Sequence, residues 1–372
     1  MDFLDETSYR KGVTYLSREP IRCPVCGHEF YQEKLQSGGG RLIAGELTDF
    51  LHRLYKPSQK FGNVYPLIYT PVVCPDCFYA SLPQDFLKVP SDVAEELQSR
   101  IKERMTEATK LIGTPVDFSK ARTLESGAVA YVLAMHCYDF FPPKKFIPVI
   151  KQALCSIKAA FLFEDLNKEQ PEKYYDFLAS VFYKKALFLY QYAIELNQSK
   201  QQIMEEMKVL GPDLDKDYGY DGVTFLIATL LLRYGDTSDP EQRAKDLEEA
   251  KLYYGKIFGM GKSDSNKPQE ILNKARDCYD EISKLQKVNV KLTLSYDGTD
   301  FYGFQAQDGL PTVAGEIEKA LQKILGEVPE IVCAGRTDKG VHADGQVINF
   351  HTSLDKMKEY IKYSYLELLE YD

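Results

Sequence analysis

Two pairs of cysteines in the first quarter of the sequence have the spacing of metal ligands. They read CPVC at residues 23–26 and CPDC at residues 74–77. Two residues between thiolates let one turn direct both sulfurs at one ion, and two such turns complete a tetrahedral site. Four protein ligands leave no open position for a substrate. We therefore expect a structural zinc site made of Cys23, Cys26, Cys74 and Cys77.

Other interpretations of the cysteines stay open. His28 follows Cys26 by two residues and is an alternative ligand, although a solvated turn histidine is the simpler interpretation. A redox role for the pairs is weaker, because thioredoxin-like motifs lie in a βαβ pattern that residues 1–90 do not show. His136 beside Cys137 suggests a nucleophile, but its apolar helical context favours core packing. Apolar contexts predict small core residues at Cys137, Cys155, Cys278 and Cys333.

A third set of polar residues lies near the C-terminal end. The sequence AGRTDKGVHA at residues 334–343 places Asp338 between Gly335 and Gly340, after YDGTDFYGFQAQ at 296–307 and TVAGEIEKAL at 312–321. A carboxylate on such a loop can attack a sugar or a base, or abstract a proton, without a cofactor. The glycines let the backbone approach a substrate closely. Taken alone, Asp338 would be an ordinary turn aspartate.

The three motifs together, followed by GQV at 345–347, resemble the N-terminal half of TruA-type tRNA pseudouridine synthases. The resemblance implies a tRNA pseudouridine synthase with tRNA as its partner, Asp338 as its catalytic carboxylate and no cofactor for catalysis. Chemistry on a stacked base requires that the base be extruded. We therefore expect Arg336 to contact phosphate or to occupy the space of that base. Gln305, Gln307 and His342 are expected to support the loop or the RNA.

The resemblance also implies a second synthase half. Enzymes of this type have two similar halves, and the second supplies an aromatic residue that stacks on the base and a basic residue that pairs with the aspartate. Neither partner can be assigned to a position here. Residues 287–353 contain six Lys and Arg against nine Asp and Glu, so they lack a basic groove for tRNA. We expect weak or absent activity of the isolated chain unless a homodimer through the synthase-like domain, or the helical domain, completes the cleft.

Residues 20 to about 260 carry a second resemblance. CPVCGHEF, then YPLIYTPVVCPDCFYA, then a helical repeat-like tail are similar to the bacterial DUF2225 family. The resemblance implies a zinc-bearing module on a helical platform, with no known activity. Phe78 stands where the second knuckle of that family usually has glycine.

Hydrophobic patterning divides the sequence into four regions and predicts a multidomain fold. Residues 1–90 form a four-cysteine zinc-knuckle module, and residues 91–286 an all-α, tetratricopeptide-like helical domain with a helix capped by Asp92 and others beginning at Pro171 and Pro240. Residues 287–353 form an α+β half domain. Its expected strands cover 288–294, 330–334 and 346–351, with a helix from Thr312 to Gly326. Residues 354–372 predict an amphipathic helical tail.

Composition restricts the function further. The 372 residues carry a formal net charge of -9, so bulk charge does not favour nucleic-acid binding. The most apolar run, at about residues 223–232, is shorter than the roughly 20 residues that a bilayer needs. We expect a cytoplasmic protein with no membrane partner. Two functions compete: a tRNA pseudouridine synthase fused to a zinc and helical module, and a non-catalytic interaction protein whose helical domain binds a protein partner and which carries a remnant synthase fragment.

Overall fold

The chain combines helices with several small antiparallel sheets. The computed structural model describes residues 12–353 apart from 37, 205–206, 208, 214–215 and 260–267. It divides into two compact units, residues 1–276 and 277–372. The tail predicted as a helix, residues 354–372, lies outside the described residues. Among the described helices none is both long and apolar enough to cross a membrane.

The N-terminal part of the first unit consists of short antiparallel strand pairs. Cys23–Cys26 and Cys74–Cys77 each lie in the turn of one hairpin. A 3-10 helix, Pro66–Tyr69, precedes the second hairpin. The pairs are β1 (Thr14–Leu16) with β4 (Glu33–Leu35), β2 (Ile21–Arg22) with β3 (Glu29–Phe30), β5 (Ile43–Leu47) with β6 (Arg53–Lys56), and β7 (Val72–Val73) with β8 (Ala80–Ser81).

Helices make up the rest of the first unit. The core lies around α3 and α5, whose side chains are almost all buried. At Gly127 of α3 an added Cβ would stand 2.6 Å from Ile68, so the helix packs directly on the 3-10 segment. The helices are α1 (Ser91–Ser99), α2 (Ile101–Ile112), α3 (Leu124–Cys137), α4 (Pro143–Phe146), α5 (Pro148–Glu169), α6 (Tyr175–Gln198), α7 (Gly219–Tyr234), α8 (Pro240–Gly259) and α9 (Gln269–Leu285), whose second half belongs to the second unit.

The named elements described between residues 91 and 286 are all helical, although two predicted helix starts were wrong and a separate domain with these bounds stays a prediction. Pro90, not Asp92, precedes α1 as its cap, and Asp92 lies in the first turn. The helix expected from Pro171 begins at Tyr175, because Tyr174 takes a left-handed conformation after a short 3-10 turn. The start at Pro240 is correct, with Asp239 accepting from the N–H of Glu241. Tetratricopeptide-like packing stays a prediction.

In the part of the second unit that the structure describes, the C-terminal half of the helix at Gln269–Leu285 is followed by one three-stranded antiparallel sheet and one further helix. β9 (Lys287–Tyr296) alternates exposed and half-buried residues, as its sequence predicts. The helix α10 (Val313–Leu325) is capped by Thr312 and ends at a left-handed Gly326. β10 covers only Val332–Cys333, shorter than expected, whereas β11 extends over Ala343–Ser353. The strand order is β10-β11-β9, and α10 packs on the sheet around Ile348 and Phe350.

Candidate functional sites

The two cysteine turns have the same backbone geometry. In the first, the N–H of Cys23 donates to the carbonyl of His28, and the N–H of Gly27 to the carbonyl of Cys23. In the second, the N–H of Cys74 donates to Tyr79 and the N–H of Phe78 to Cys74. Each hairpin therefore projects two thiols from one tight turn.

The sulfur atoms of the four predicted ligands lie close together. Cys23 Sγ lies 3.7 Å from Cys77 Sγ, and Cys26 Sγ lies 3.6 Å from Cys74 Sγ. All four sulfurs lie within 4.8 Å of one another, and three of the four residues are buried. A tetrahedral ion with metal–sulfur bonds of about 2.3 Å needs sulfurs about 3.8 Å apart. The cluster therefore fits a single metal ion.

The crowded thiols perturb one another. Hydrogen bonds from Cys74 and Cys77 lower the pKa of Cys23 to about 4, whereas contact with the Cys23 sulfur raises the pKa of Cys77. Thiolates this close repel one another, so the four cysteines cannot all ionise without a cation. A bound metal ion would let all four sulfurs carry negative charge.

Phe78 occupies the turn position that Gly27 occupies in the first knuckle. Both residues have positive φ, +57° for Phe78 and +81° for Gly27. A left-handed phenylalanine is strained by about 1–2 kcal/mol. Its buried ring packs edge-on against Phe118 at 4.9 Å, which offsets that strain. The departure from glycine therefore leaves the turn geometry intact.

Arg104 of α2 joins the second knuckle to the helices. Its guanidinium is buried and donates from Nη2 to the carbonyl of Cys77 at 2.9 Å and from Nη1 to the carbonyl of Leu97 at 2.6 Å. Sequence reasoning missed this residue, because a single arginine in an amphipathic helix predicts a solvated position. Its positive charge beside the ligand Cys77 would favour a thiolate cluster.

The alternative roles of other cysteines and histidines find no support. His28 is exposed, its ring stacks on Phe30, and its side chain is not part of the group of four clustered cysteines. Cys137 is buried, and burial raises its pKa to about 11, so it is a poor nucleophile. His136 pairs with Glu107 at 3.0 Å instead.

In the second unit, the loop that carries Asp338 is fastened to the first motif. The N–H of Phe304 donates to the carbonyl of Thr337 at 2.9 Å, and the N–H of Gly340 to the carbonyl of Phe301 at 3.2 Å. The hydroxyls of Tyr296 and Thr337 lie 2.6 Å apart. Two motifs separated by about thirty residues in sequence thus form one surface.

Two glycines allow this close approach. An added Cβ at Gly298 would stand 2.0 Å from the carbonyl oxygen of Val341, which no side chain can tolerate. Gly303 has a φ of +100°, and a Cβ there would stand 3.0 Å from the Thr337 oxygen. Glycine is required at both positions for the loop to keep its place.

Asp338 itself projects to solvent. Its side chain is exposed, and within the described residues its carboxylate makes no ion pair. Gln305 follows Phe304 and Asp338 follows Thr337, so both lie next to the same backbone hydrogen bond. A free carboxylate held on a fixed loop can act as a nucleophile or a base.

The other predicted site residues divide into two groups. Arg336 and Gln305 are exposed. Gln307 donates to the carbonyl of Tyr302 at 3.4 Å, and His342 pairs with Asp297 at 3.1 Å. These last two therefore have intramolecular contacts that fix local structure, whereas Arg336 and Gln305 are available to a ligand.

Sequence reasoning missed two pairs beside the loop. Lys339 Nζ lies 3.8 Å from the ring centroid of the exposed Tyr302, a cation–π contact next to Asp338. The Tyr296–Thr337 pair fixes the residue before Asp338. All four residues lie inside the motifs, but nothing in their spacing shows that they touch.

Comparisons with known proteins fall into two groups. Part of the chain is 63% identical over 62 residues to tRNA pseudouridine synthase A of Brachyspira hyodysenteriae, covering 17% of this chain and 25% of that enzyme. Another match is 47% identical over 88 residues to tRNA pseudouridine synthase A of Borrelia turicatae, covering 24% of this chain and 35% of that enzyme. The chain thus spans about a quarter to a third of the length of these synthases.

The larger part of the chain matches different proteins. An uncharacterized protein of Borreliella burgdorferi is 41% identical over 277 residues, which is 74% of this chain and 99% of that protein. The sequence model of the DUF2225 family, uncharacterized proteins conserved in bacteria, matches residues 16–282. The shared region includes all four clustered cysteines. The chain belongs to the DUF2225 family, with an added segment similar to part of tRNA pseudouridine synthase A.

Proposed function

We propose that the second unit is the catalytic-loop portion of a tRNA pseudouridine synthase, with Asp338 as its catalytic carboxylate. The observation that carries this proposal is the joining of the AGRTDKGVHA loop to the YDGTDFYGF segment by the Phe304–Thr337 and Gly340–Phe301 hydrogen bonds. The two motifs that are similar in sequence to the synthases lie together beside the exposed carboxylate of Asp338. Such a site suits a large substrate that approaches from solvent.

The reaction needs one carboxylate and no cofactor. The N1–C1′ bond of uridine breaks, the uracil turns over, and a C5–C1′ bond forms. The proton on C5 leaves to solvent and N1 gains one, so that the product is an isomer of the substrate. Asp338 would attack the sugar or the base, or take up the proton. Arg336, exposed two residues away, would contact a phosphate or fill the space of the extruded base.

The first unit would hold a structural zinc ion at Cys23, Cys26, Cys74 and Cys77. Sulfur distances of 3.6 and 3.7 Å support zinc, the common ion of four-thiolate sites. The ion would connect two hairpins that are otherwise linked by few strand hydrogen bonds, and so stabilise a region with little core of its own.

The synthase relatives are three to four times longer than the matching segment. The resemblance implies a second synthase half, which provides the stacking aromatic and the basic partner of the aspartate, and neither partner can be assigned to a position among residues 1–372. We therefore expect the 372-residue chain alone to convert tRNA slowly or not at all.

Tritium release from tRNA labelled at C5 of uridine tests the assignment. We expect any activity of the chain, alone or with added second-half polypeptide, to be lost in Asp338→Asn, because an amide keeps the shape but can neither attack nor accept the proton. The loss should reach at least about a thousandfold, or about 4 kcal/mol of barrier.

Asp344→Asn is the matched control, since Asp344 is an exposed carboxylate on the adjoining strand β11. It should retain activity. Release that persists in Asp338→Asn would show that the loop is not the active site. Rapid conversion by the chain alone would show that it forms a complete cleft without a second half.

The competing function is a non-catalytic interaction protein that carries a remnant of a synthase. The uncharacterized relative that matches 74% of this chain favours an independent role for the first unit. No tritium release under any complementation, together with an exposed binding surface on the helices, would favour this function.

A further inference from the structure

Helix α6 is apolar on two opposite faces. Its inner face buries Phe182, Tyr183, Ala186 and Tyr190 in the first unit, where α6 packs against α5 and α7. A helix that is hydrophobic all round is normally buried all round. The outer face of α6 is nevertheless open, so the fold described here leaves that face without a packing partner.

The outer stripe is large and aromatic. Four residues of the stripe lie on one face of the helix. The N-cap residue Tyr174 precedes them and is 74% exposed. The exposed fraction is 68% at Phe177 and 65% at Phe188, whose ring stacks with that of Tyr192. Exposed Lys184 lies between Val181 and Phe188 on the same face. Large exposed apolar side chains grouped on one face mark interaction sites. We call this group the α6 stripe: Phe177, Val181, Phe188 and Tyr192.

An apolar groove lies beside one end of the α6 stripe. It runs between α2, α3 and α6 and has a volume of 430 Å³. Leu111, Val132 and Leu178 are among the residues that line it, and Val181 belongs to both the groove and the stripe. A groove beside a helix ridge is the shape that accepts an amphipathic helix.

The charges at the groove specify the partner. Lys110 of α2 and Lys185 of α6 are exposed at its rim, and neither makes an ion pair within the described residues. The carboxylate at the rim, Glu107, is paired with His136. Two lysines against one carboxylate leave the rim with net positive charge around an apolar floor, which complements apolar side chains flanked by carboxylates.

We propose that the α6 stripe and its groove bind an acidic amphipathic helix of a partner protein. Apolar side chains of that helix would lie along Phe177, Val181 and Phe188, and its carboxylates would meet Lys110 and Lys185. This site lies wholly in the first unit and does not depend on the synthase chemistry proposed for the second.

Fluorescence anisotropy with the full chain tests the proposal. The probe is a labelled synthetic helix with leucines at helical spacing and glutamates elsewhere, and the comparison peptide has lysines in place of the glutamates. We expect the acidic probe to bind and the basic peptide to bind at least about tenfold more weakly. The double variant Phe177→Ser, Phe188→Ser should bind the acidic probe about tenfold or more weakly than the parent does.

A charge exchange gives an independent measurement. Lys110→Glu with Lys185→Glu should reverse the preference, so that the basic peptide binds more tightly than the acidic one. Leu87→Ser with Leu252→Ser is the control, since both leucines are more than half exposed outside the stripe. That variant should bind like the parent, and far-ultraviolet circular dichroism of every variant should match the parent.

Three results would overturn the proposal. The first is equal binding of the two peptides, or binding unchanged by the stripe and charge variants. The second is self-association, measured by light scattering, that the Phe177→Ser, Phe188→Ser variant abolishes, since a second copy would then occupy the stripe. The third is tighter binding of a synthetic peptide of residues 354–372 than of the acidic probe, since this chain's own tail would then be the occupant.

Discussion

At the scale of single residues, Phe78 shows how a ring can stabilise a strained turn. Phe78→Gly would relieve about 1–2 kcal/mol of left-handed strain but remove a buried ring worth about 3–5 kcal/mol. We therefore expect a net loss of about 2 kcal/mol in the free energy of unfolding, without loss of metal. Urea denaturation with zinc analysis would measure both. A more stable glycine variant would contradict the packing argument.

Tyr296 contacts Thr337 in the loop that we propose to be catalytic. Tyr296→Phe removes the 2.6 Å hydroxyl contact with Thr337, next to Asp338. We expect about 1 kcal/mol less stability of the second unit and a turnover lowered by about tenfold, with KM for tRNA nearly unchanged, in a preparation complemented for activity. Thr299→Val is a matched control, because the Thr299 hydroxyl bonds only to Asp297. A fall in tRNA affinity alone would indicate a different role for Tyr296.

At the scale of elements, His52 joins the β5–β6 hairpin to two distant parts of the first unit. Its Nδ1 lies 2.6 Å from Asp213, its Nε2 lies 3.9 Å from Asp165 of α5, and its ring stacks on Phe161. Burial opposes protonation, but the hydrogen bonds and charges of Asp165 and Asp213 outweigh it and raise the pKa of His52 to about 9. The buried imidazolium of His52 therefore forms charged interactions with Asp213 and Asp165.

The pH dependence of stability follows from that shift. The pKa of His52 in the folded protein lies above the ordinary value of 6.5. The stabilisation from its charged form is therefore fully present below about pH 6.5 and is lost as the pH rises through about 9. The pKa shift of His52 contributes about 3 kcal/mol at most to the free energy of unfolding. We expect the Tm to fall between pH 7 and pH 9.5 in the parent and much less in His52→Gln, measured by thermal unfolding. An equal fall in both proteins would place the titration elsewhere.

Local sequence signals predicted where several of the helices and strands begin and end, but they did not predict the contacts between these elements. Asp239, Thr312 and Gly326 carry cap chemistry in their own residue types, and β9 alternates strictly, so these boundaries could be read from sequence. The cysteine cluster could also be predicted, because two Cys-x-x-Cys pairs have the spacing that is typical of four ligands to one metal ion. The contacts of Arg104 with Cys77 and of Lys339 with Tyr302 could not, since they depend on how separate elements pack. The exposed face of α6 likewise contradicts a purely periodic interpretation, which assigns every aromatic stripe to a core.

At the scale of the whole molecule, the metal site should stabilise only one of the two compact units. The clustered cysteines belong to residues 1–276, and the sheet of β9, β10 and β11 to residues 277–372. If the four cysteines hold zinc as proposed, its removal by a chelator should lower the free energy of unfolding of the first unit by at least about 5 kcal/mol and leave that of the second unchanged. Calorimetry with and without chelator would show one transition move and one stay. Cys26→Ser should reproduce the effect, whereas Cys333→Ser should not.

The sheet of the second unit has a consequence for handling the protein. Within the described residues, β9 and β10 are its two outer strands, and β9 presents ten residues of backbone along one side. An outer strand of that length is a template for pairing with a strand of another molecule. Lys287 and Lys291 on its exposed positions oppose such pairing only in part. Concentrated samples should therefore precipitate through intermolecular β-structure, and a glutamate or proline introduced in β9 should raise the solubility limit.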